Sequence, residues 1–277
     1  MREGTVVLIT GASSGFGEAA ARLLAARGPY RVFGTSRRAA GDDTLGGAEM
    51  LPLDVRSDAS VAACVDAVMQ RAGRIDVLVN NAGYTLAGAV EETAIDEAKA
   101  QFDTNFFGMA RMVRAVLPVM RAQGGGRIVN VSSLAGLVGV PFHAHDSASK
   151  FAIEGLSEGL RQEVRRFGIH VSLIEPGDFK TAGTAARERA TGGLPAYAAA
   201  RDRAIDIMAR AEQSGPDPRK RPVYRVVTPP GSGRYQALRR LEDERRGERE
   251  RAGGPGLEAG SAEARQVQPG NFRFLLL

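Results

Sequence analysis

Apolar and polar positions along the chain follow two alternating rhythms. Short apolar runs recur at Val6 to Ile9, Tyr30 to Thr35, Glu49 to Leu53, Ile75 to Val79, Arg127 to Val131 and Ile169 to Ile174. Each has the length of a buried strand and is bounded by turn-forming residues. Between them lie stretches with helical spacing. Glu18 to Arg27 is stopped by Gly28-Pro29. A second helix runs from Ser57, a suitable N-cap, to about Ala72. A long one spans Ile95 to Arg121 and ends at Gly124-Gly125-Gly126. Another covers about Ser147 to Phe167. Strand and helix signals alternating without an internal repeat predict an α/β fold. Its sheet is parallel and doubly wound, with helices on both faces and right-handed crossovers, in a single domain.

After Pro176-Gly177 the pattern weakens. Residues 178–215 contain a Gly-Gly-Leu-Pro break and predict one or two surface helices that would form a lid. Val223 to Val227 reads as a last strand, which sets the domain at residues 1–230. Residues 231–277 read as a charged, flexible tail, since Arg239 to Arg251 is almost wholly charged.

At the first strand the chain reads Val-Val-Leu-Ile-Thr-Gly-Ala-Ser-Ser-Gly-Phe-Gly, Val6 to Gly17. A glycine turn between a strand and a helix is the build of a dinucleotide site. Glycines let backbone N–H groups approach a pyrophosphate, and the helix N-terminus adds positive potential.

Composition narrows the field. The chain of 277 residues is 43% hydrophobic, enough for a full core, and carries a formal net charge of +5. Much of its arginine lies after Arg234, and no basic-aromatic module accompanies it, so a nucleic-acid partner is not expected. One cysteine, Cys64, excludes an internal disulfide and reads as a small core residue. No signal-peptide pattern and no run of the ~18 apolar residues a membrane helix needs are present. A cytoplasmic protein without a membrane partner or a bound metal is expected.

With Thr10 in front, the glycine motif Thr-Gly-x-x-x-Gly-x-Gly resembles that of the short-chain dehydrogenase/reductase family, and the resemblance runs to about Thr181. It implies a Rossmann-type fold and a nicotinamide cofactor. Gly11, Ser13, Ser14, Gly15, Phe16 and Gly17 would hold the pyrophosphate. Asp54 and Val55 match the family position beside the adenine. Asn81, Ala82 and Gly83, in Asn80-Asn81-Ala82-Gly83, would shape the floor of the cleft. Pro176, Gly177 and Thr181, in the family's P-G-x-x-x-T, would hold the nicotinamide carboxamide.

The second strand ends Gly34-Thr35-Ser36-Arg37-Arg38, with two guanidiniums where a carboxylate would hold a ribose hydroxyl. Arginine matches phosphate oxygens with a planar fork, so Ser36, Arg37 and Arg38 favour NADP(H) over NAD(H).

Four positions carry the family's chemistry. Asn105 takes the place of an asparagine that holds an ordered water. Ser133, thirteen residues before the tyrosine position, takes the place of the serine that holds the substrate oxygen. Lys150 matches the lysine that holds the nicotinamide ribose. Four residues before it, where the family has tyrosine, stands Asp146. The tyrosine exchanges a proton with the substrate oxygen; its pKa of ~10 is lowered by the lysine. An aspartate beside a cation is expected to move below its ordinary ~3.9, leaving no proton to give. It is also roughly 4 Å shorter than a phenol, and at i,i+4 it can pair with Lys150.

The leading reading is therefore an NADP(H)-dependent carbonyl reductase or alcohol dehydrogenase with a non-standard or impaired proton donor. Asp146 would act through water, or His143, His145 or Tyr84 would supply the proton. Two readings stay open beside it: a dehydratase, isomerase or cyclase on the same scaffold, and an inactive cofactor-binding variant. Leu194, Tyr197 and Ile205 in the lid suit a neutral, fairly apolar carbonyl or alcohol substrate. The long helix and the lysine helix carry more apolar residues than one core-facing stripe needs, which predicts a homodimer or homotetramer.

Overall fold

A computed structural model of the protein describes residues 4–40, 43–181 and 187–218. The expected strand at Val223 to Val227 and the charged tail lie outside the described residues.

The first strand, β1 (Thr5–Ile9), is buried throughout. It is followed by α1 (Gly15–Ala26), β2 (Tyr30–Ser36), β3 (Thr44–Leu45), β4 (Ala48–Pro52) and α2 (Asp58–Ala72). Then come β5 (Val77–Asn80), β6 (Leu86–Ala87), α3 (Ile95–Phe102), a π-helical turn (Asp103–Phe107) and α4 (Gly108–Ala122). The rest is β7 (Gly126–Val131), α5 (Ala144–Val164), β8 (Ile169–Ile174), β9 (Glu188–Arg189) and α6 (Pro195–Ser214). The main sheet has the order β3-β4-β2-β1-β5-β7-β8, parallel except for the β3–β4 hairpin at one edge. The order reverses at β1, so the chain forms a Rossmann-type doubly wound sheet. The switch point lies at the C-terminal ends of β1 and β5, where α1 begins.

Two apolar clusters fill the two faces. One joins Leu8, Phe33, Leu78 and Ile128 to α2, α4 and α5 through Val68, Met112 and Leu160. The other packs Val7, Ile9, Val32 and Val129 against Ala20 and Ala21 of α1. Cys64 lies in the first cluster, and burial pushes its thiol up to about 12. Ser57 caps α2, accepting from Ser60 N, and Gly73 closes it in the left-handed region with φ 70°.

The structure departs from the sequence expectations in particular places. The long helix is not one α-helix: the π turn at Asp103–Phe107 interrupts it and carries Asn105. Gly108 follows that turn where a Cβ would meet Val55 Cγ2 at 2.6 Å. The lysine helix starts at Ala144, because His143 O accepts from Ser147 N at 2.8 Å. Asp146 is thus in its first turn. After Pro176, β9 pairs with β6 to form a separate two-stranded sheet, and a single helix follows, begun by Pro195. Among the described residues no helix is long and apolar enough to cross a membrane.

A buried polar ladder ties α5 to the sheet. Asn80 Nδ2 donates to Asn130 Oδ1 at 2.9 Å, and Asn130 Nδ2 donates to Ser157 Oγ at 2.8 Å. With both ends of the Asn130 amide engaged, this ladder fixes the register of α5 against β5 and β7.

Candidate active site

The glycine turn is held from below. Thr10 Oγ1 accepts from Asn81 N at 2.9 Å and Ala82 N at 3.0 Å. Asn81 Nδ2 donates to the carbonyls of Thr10 and Gly11, both at 3.0 Å. Gly11 (φ +65°) and Gly15 (φ +57°) sit in the left-handed region. At Gly17 a Cβ would lie 2.3 Å from the Gly11 carbonyl oxygen, so helix and turn approach too closely for any side chain. Ser13 and Ser14 are exposed, and Ser14, the N-cap of α1, makes no side-chain capping bond. Thr181 stands opposite, 3.7 Å from where a Gly15 Cβ would be. Phe16 packs edge-on to Phe179 with ring centroids 5.1 Å apart, which joins the turn to the Pro176-Gly177 segment. This cradle, open above a helix start and lined by backbone N–H groups, fits a dinucleotide pyrophosphate.

At the end of β2, Arg37 and Arg38 are exposed and form no ion pair among the described residues, while Ser36 Oγ accepts from Arg38 N at 3.3 Å. Asp54, just after β4, is engaged by a neighbouring arginine. Arg56 grips it through Nε (3.1 Å) and Nη2 (2.8 Å) and lowers its carboxyl to about 2. Val55 turns inward, buried against α4.

Asn105 is 2% exposed, and its amide is committed to the protein. Oδ1 accepts from Tyr84 N at 3.0 Å, and Nδ2 donates to Tyr84 O at 3.0 Å and to Ser149 Oγ at 3.2 Å. A Cβ on Gly83 would lie 3.0 Å from Asn105 Oδ1. Both amide hydrogens being used, the side chain anchors the loop after β5. Ser133 follows β7 and has extended backbone; its hydroxyl accepts from Ala135 N at 3.1 Å and lies 3.5 Å from the Pro176 carbonyl. That contact sets the serine beside the Pro176-Gly177 segment. Lys150 Nζ donates to Val131 O at 3.3 Å, and burial pushes its ammonium down, opposed by Asp146 and Glu154.

Asp146 overturns the expectation from its spacing. It forms no ion pair with Lys150. It is 6% exposed, and Oδ1 accepts from Gln101 Nε2 at 2.8 Å. Burial raises its carboxyl to about 6, with Lys150 and Arg187 pulling down and Glu212 pushing up. Desolvation outweighs the neighbouring cation, so this carboxyl does carry a proton in mildly acidic solution. Burial also pushes His143 down to about 4, so its imidazole is neutral near pH 7 and carries no extra proton to give. Burial raises the phenol of Tyr84.

Sequence reasoning passed over Gln101, Ser149, Arg187 and Glu212. Gln101 and Ser149 bind Asp146 directly: Ser149 Oγ donates to Asp146 O at 2.7 Å. The side chain of Arg187 is 6% exposed, and its Nη2 lies 2.5 Å from Glu212 Oε1 on α6. Only the motif around Asn105 hinted at Gln101, through a polar residue one helical turn away.

The segment around β9 is clasped by carboxylates from the loop after β6 and the start of α3. Glu92, buried, accepts from Ala89 N (3.0 Å) and Leu194 N (2.8 Å) and pairs with Arg201. Glu97 accepts from Thr191 N at 3.0 Å, and Tyr197 donates its hydroxyl to Glu91 at 2.7 Å. Ile205, on α6, is buried.

Known proteins are similar to this chain in sequence and in fold. Residues 5–192 match the short chain dehydrogenase family. A 3-ketodihydrosphingosine reductase from Bacteroides thetaiotaomicron is 44% identical over 217 residues, which is 78% of this chain and 80% of that protein. The estradiol 17-beta-dehydrogenase 1 of Rattus norvegicus is 42% identical over 69% of this chain, which spans 59% of the rat enzyme. Among solved structures, a short-chain dehydrogenase from Streptomyces avermitilis superposes with a TM-score of 0.72 at 38% identity, covering 91% of this chain and 96% of that one. ElxO with NADP bound gives 0.61 at 31% identity, covering 64% and 75%. With the glycine cradle, the strand order and the extent of these matches in agreement, the chain belongs to the short-chain dehydrogenase/reductase family.

Proposed function

We propose that the protein is an NADP(H)-dependent carbonyl reductase whose proton donor is the carboxyl of Asp146. One observation carries the reading: a buried carboxyl with a raised pKa occupies the position one turn before Lys150, in the first turn of α5. When bound, a nicotinamide dinucleotide supplies the hydride for reduction and accepts it in the reverse direction. Gly11, Gly15 and Gly17 let the backbone close on the pyrophosphate. Arg37 and Arg38, unpaired at the end of β2, take a 2′-phosphate. Lys150 holds ribose hydroxyls, and its charge favours the carboxylate that Asp146 becomes.

Ser133 donates a hydrogen bond to the substrate oxygen and aligns the carbonyl carbon. As negative charge develops on that oxygen, the O–H bond of Asp146 breaks and an O–H bond forms on the product alcohol, through one water because the aspartate is short. The carboxylate left behind is reprotonated from solvent.

Two of the relatives are named for a ketosphingoid and a steroid. Leu194 and Ile205 are apolar, and Arg187, Glu212 and Arg201 of the lid are taken up in ion pairs. The substrate class is therefore a ketone on a long apolar molecule, and 3-ketodihydrosphingosine is the first compound to try. The reading includes a homo-oligomer, a cytoplasmic location, and neither nucleic-acid nor membrane partner.

The test is NADPH consumption with that ketone by the parent and by Asp146→Asn. Consumption by the parent and its loss in the variant are expected. A second reading rests on the same raised pKa, which also makes Asp146 a competent base for a dehydratase or isomerase. Product formed without net change in nicotinamide would establish that reading in place of the first.

A further inference from the structure

Gln101 is fully buried on α3, and its amide nitrogen serves two acceptors: Tyr84 O at 3.2 Å and Asp146 Oδ1 at 2.8 Å. Its Oε1 has no partner. The two acceptors fix which way the amide faces. A main-chain carbonyl only accepts, so turning the amide over would set oxygen against oxygen at Tyr84. The nitrogen therefore faces Asp146 whether or not the carboxyl is protonated. A carboxyl oxygen that already accepts an N–H is the poorer seat for a proton than its free neighbour. In the acid form Oδ1 remains the carbonyl oxygen, and the proton sits on Oδ2.

We infer that Gln101 is the positioning residue of the acid–base site, holding Asp146 by Oδ1 so that Oδ2 carries the transferable proton. The inference rests on the reading in which Asp146 exchanges a proton with the substrate oxygen.

The clamp is part of a closed ring of hydrogen bonds. Gln101 binds Asp146, Ser149 donates to the Asp146 carbonyl, Asn105 donates to Ser149 and Tyr84, and Tyr84 O accepts from Gln101 again. The ring joins α3, the π turn, the loop after β5 and the first turn of α5. No member can turn without breaking a bond elsewhere, which holds the carboxyl in one orientation. The charged groups acting on Asp146 are Lys150 on α5, Arg187 before β9 and Glu212 on α6. Glu154 acts in turn on Lys150, and the neighbouring His143 is neutral near pH 7. The two cations favour the carboxylate, Glu212 favours the acid, and burial favours the acid more strongly. Gln101, as a donor, favours the carboxylate. During reduction the Oδ2–H bond breaks as the alcohol O–H forms, and Oδ1 stays bonded to Gln101 throughout.

The experiment follows the Asp146 carboxyl carbon and the Gln101 side-chain amide by NMR across pH in the full chain. Both signals should move with one midpoint, and Asp146→Asn should abolish the amide response. Gln101→Met, of similar shape without a donor, should raise the Asp146 midpoint by one pH unit or more. The pH profile of reduction should move with it. An amide that ignores the Asp146 midpoint in the unmodified protein overturns the inference, and this reading does not depend on the variant folding. An unmoved midpoint in a folded Gln101→Met protein overturns it equally. The titration is independent of turnover. A coupled titration without ketone reduction leaves the clamp standing and removes the reductase reading; reduction with uncoupled titrations does the reverse.

Discussion

Asp146 and Lys150 stand one turn apart on α5 and look to different partners, the carboxylate to Gln101 at 2.8 Å and the ammonium to the carbonyl of Val131 at 3.3 Å. Spacing alone favours a salt bridge here. Burial wins instead, and the carboxyl moves up rather than down.

The first prediction concerns pH. Ketone reduction needs the acid form of Asp146, so kcat/KM should be flat below about pH 6 and fall about tenfold per unit above it. Asp146→Asn should lower it by about 10²- to 10⁴-fold. Asp146→Tyr should carry the falling limb to higher pH. A profile still flat at about pH 8 in the parent would remove Asp146 from the proton step.

Stability should move with the same group. Its folded pKa of about 6 exceeds the ordinary value of ~3.9, so the folded state binds the proton more tightly. That stabilisation is complete below about pH 4 and disappears as pH rises through about 6. Asp146→Asn carries no charge to desolvate. Urea melts should show it more stable than the parent by roughly 1–3 kcal/mol at about pH 8 and no more stable at about pH 4.

Cofactor choice is open to direct titration. NADPH should bind at least tenfold more tightly than NADH, about 1.4 kcal/mol, and replacing Arg37 and Arg38 with Ala should erase the difference. Equal affinities in the parent would detach these arginines from the 2′-phosphate.

Assembly follows from uncovered apolar side chains. Ile95 and Phe107, on the α3–π–α4 face, are 66% and 50% exposed, and Phe151 on α5 is 46% exposed. Ile95 and Phe107 border a groove that also takes in Phe102 and Arg111. Light scattering at about micromolar concentration should give a dimer or tetramer, and Phe107→Arg should shift it toward monomer. A parent of monomer mass would contradict this.

Much of the scaffold was legible because local rules decide it. The six principal strands are apolar runs between turn residues, and the cradle is written in Thr10, Gly11, Gly15 and Gly17. The π turn was not legible, since an i→i+5 turn leaves no period in the sequence. Asn105 was found by its motif, but its duties toward Tyr84 and Ser149 depend on how α3 and α5 pack. Gln101 meets Asp146 across 45 residues of chain, and Glu92 meets Leu194 across 102, distances no local pattern spans. The sign of the Asp146 shift failed for the same reason: a neighbouring lysine is visible in the sequence, whereas desolvation is a property of the packed site.

The clasp around β9 bears on how such a protein can change its diet. Thr191, Leu194, Glu188 and Ala190 are all held through their main-chain N–H groups, by Glu97, Glu92, Thr85 and Ala87. Any residue other than proline can offer that N–H, so the identities of these side chains are released from the task of anchorage. The segment can be rewritten residue by residue toward a different molecule while the fixings stay where they are. In this protein the acidic loop holds the segment by its main chain rather than by its side chains.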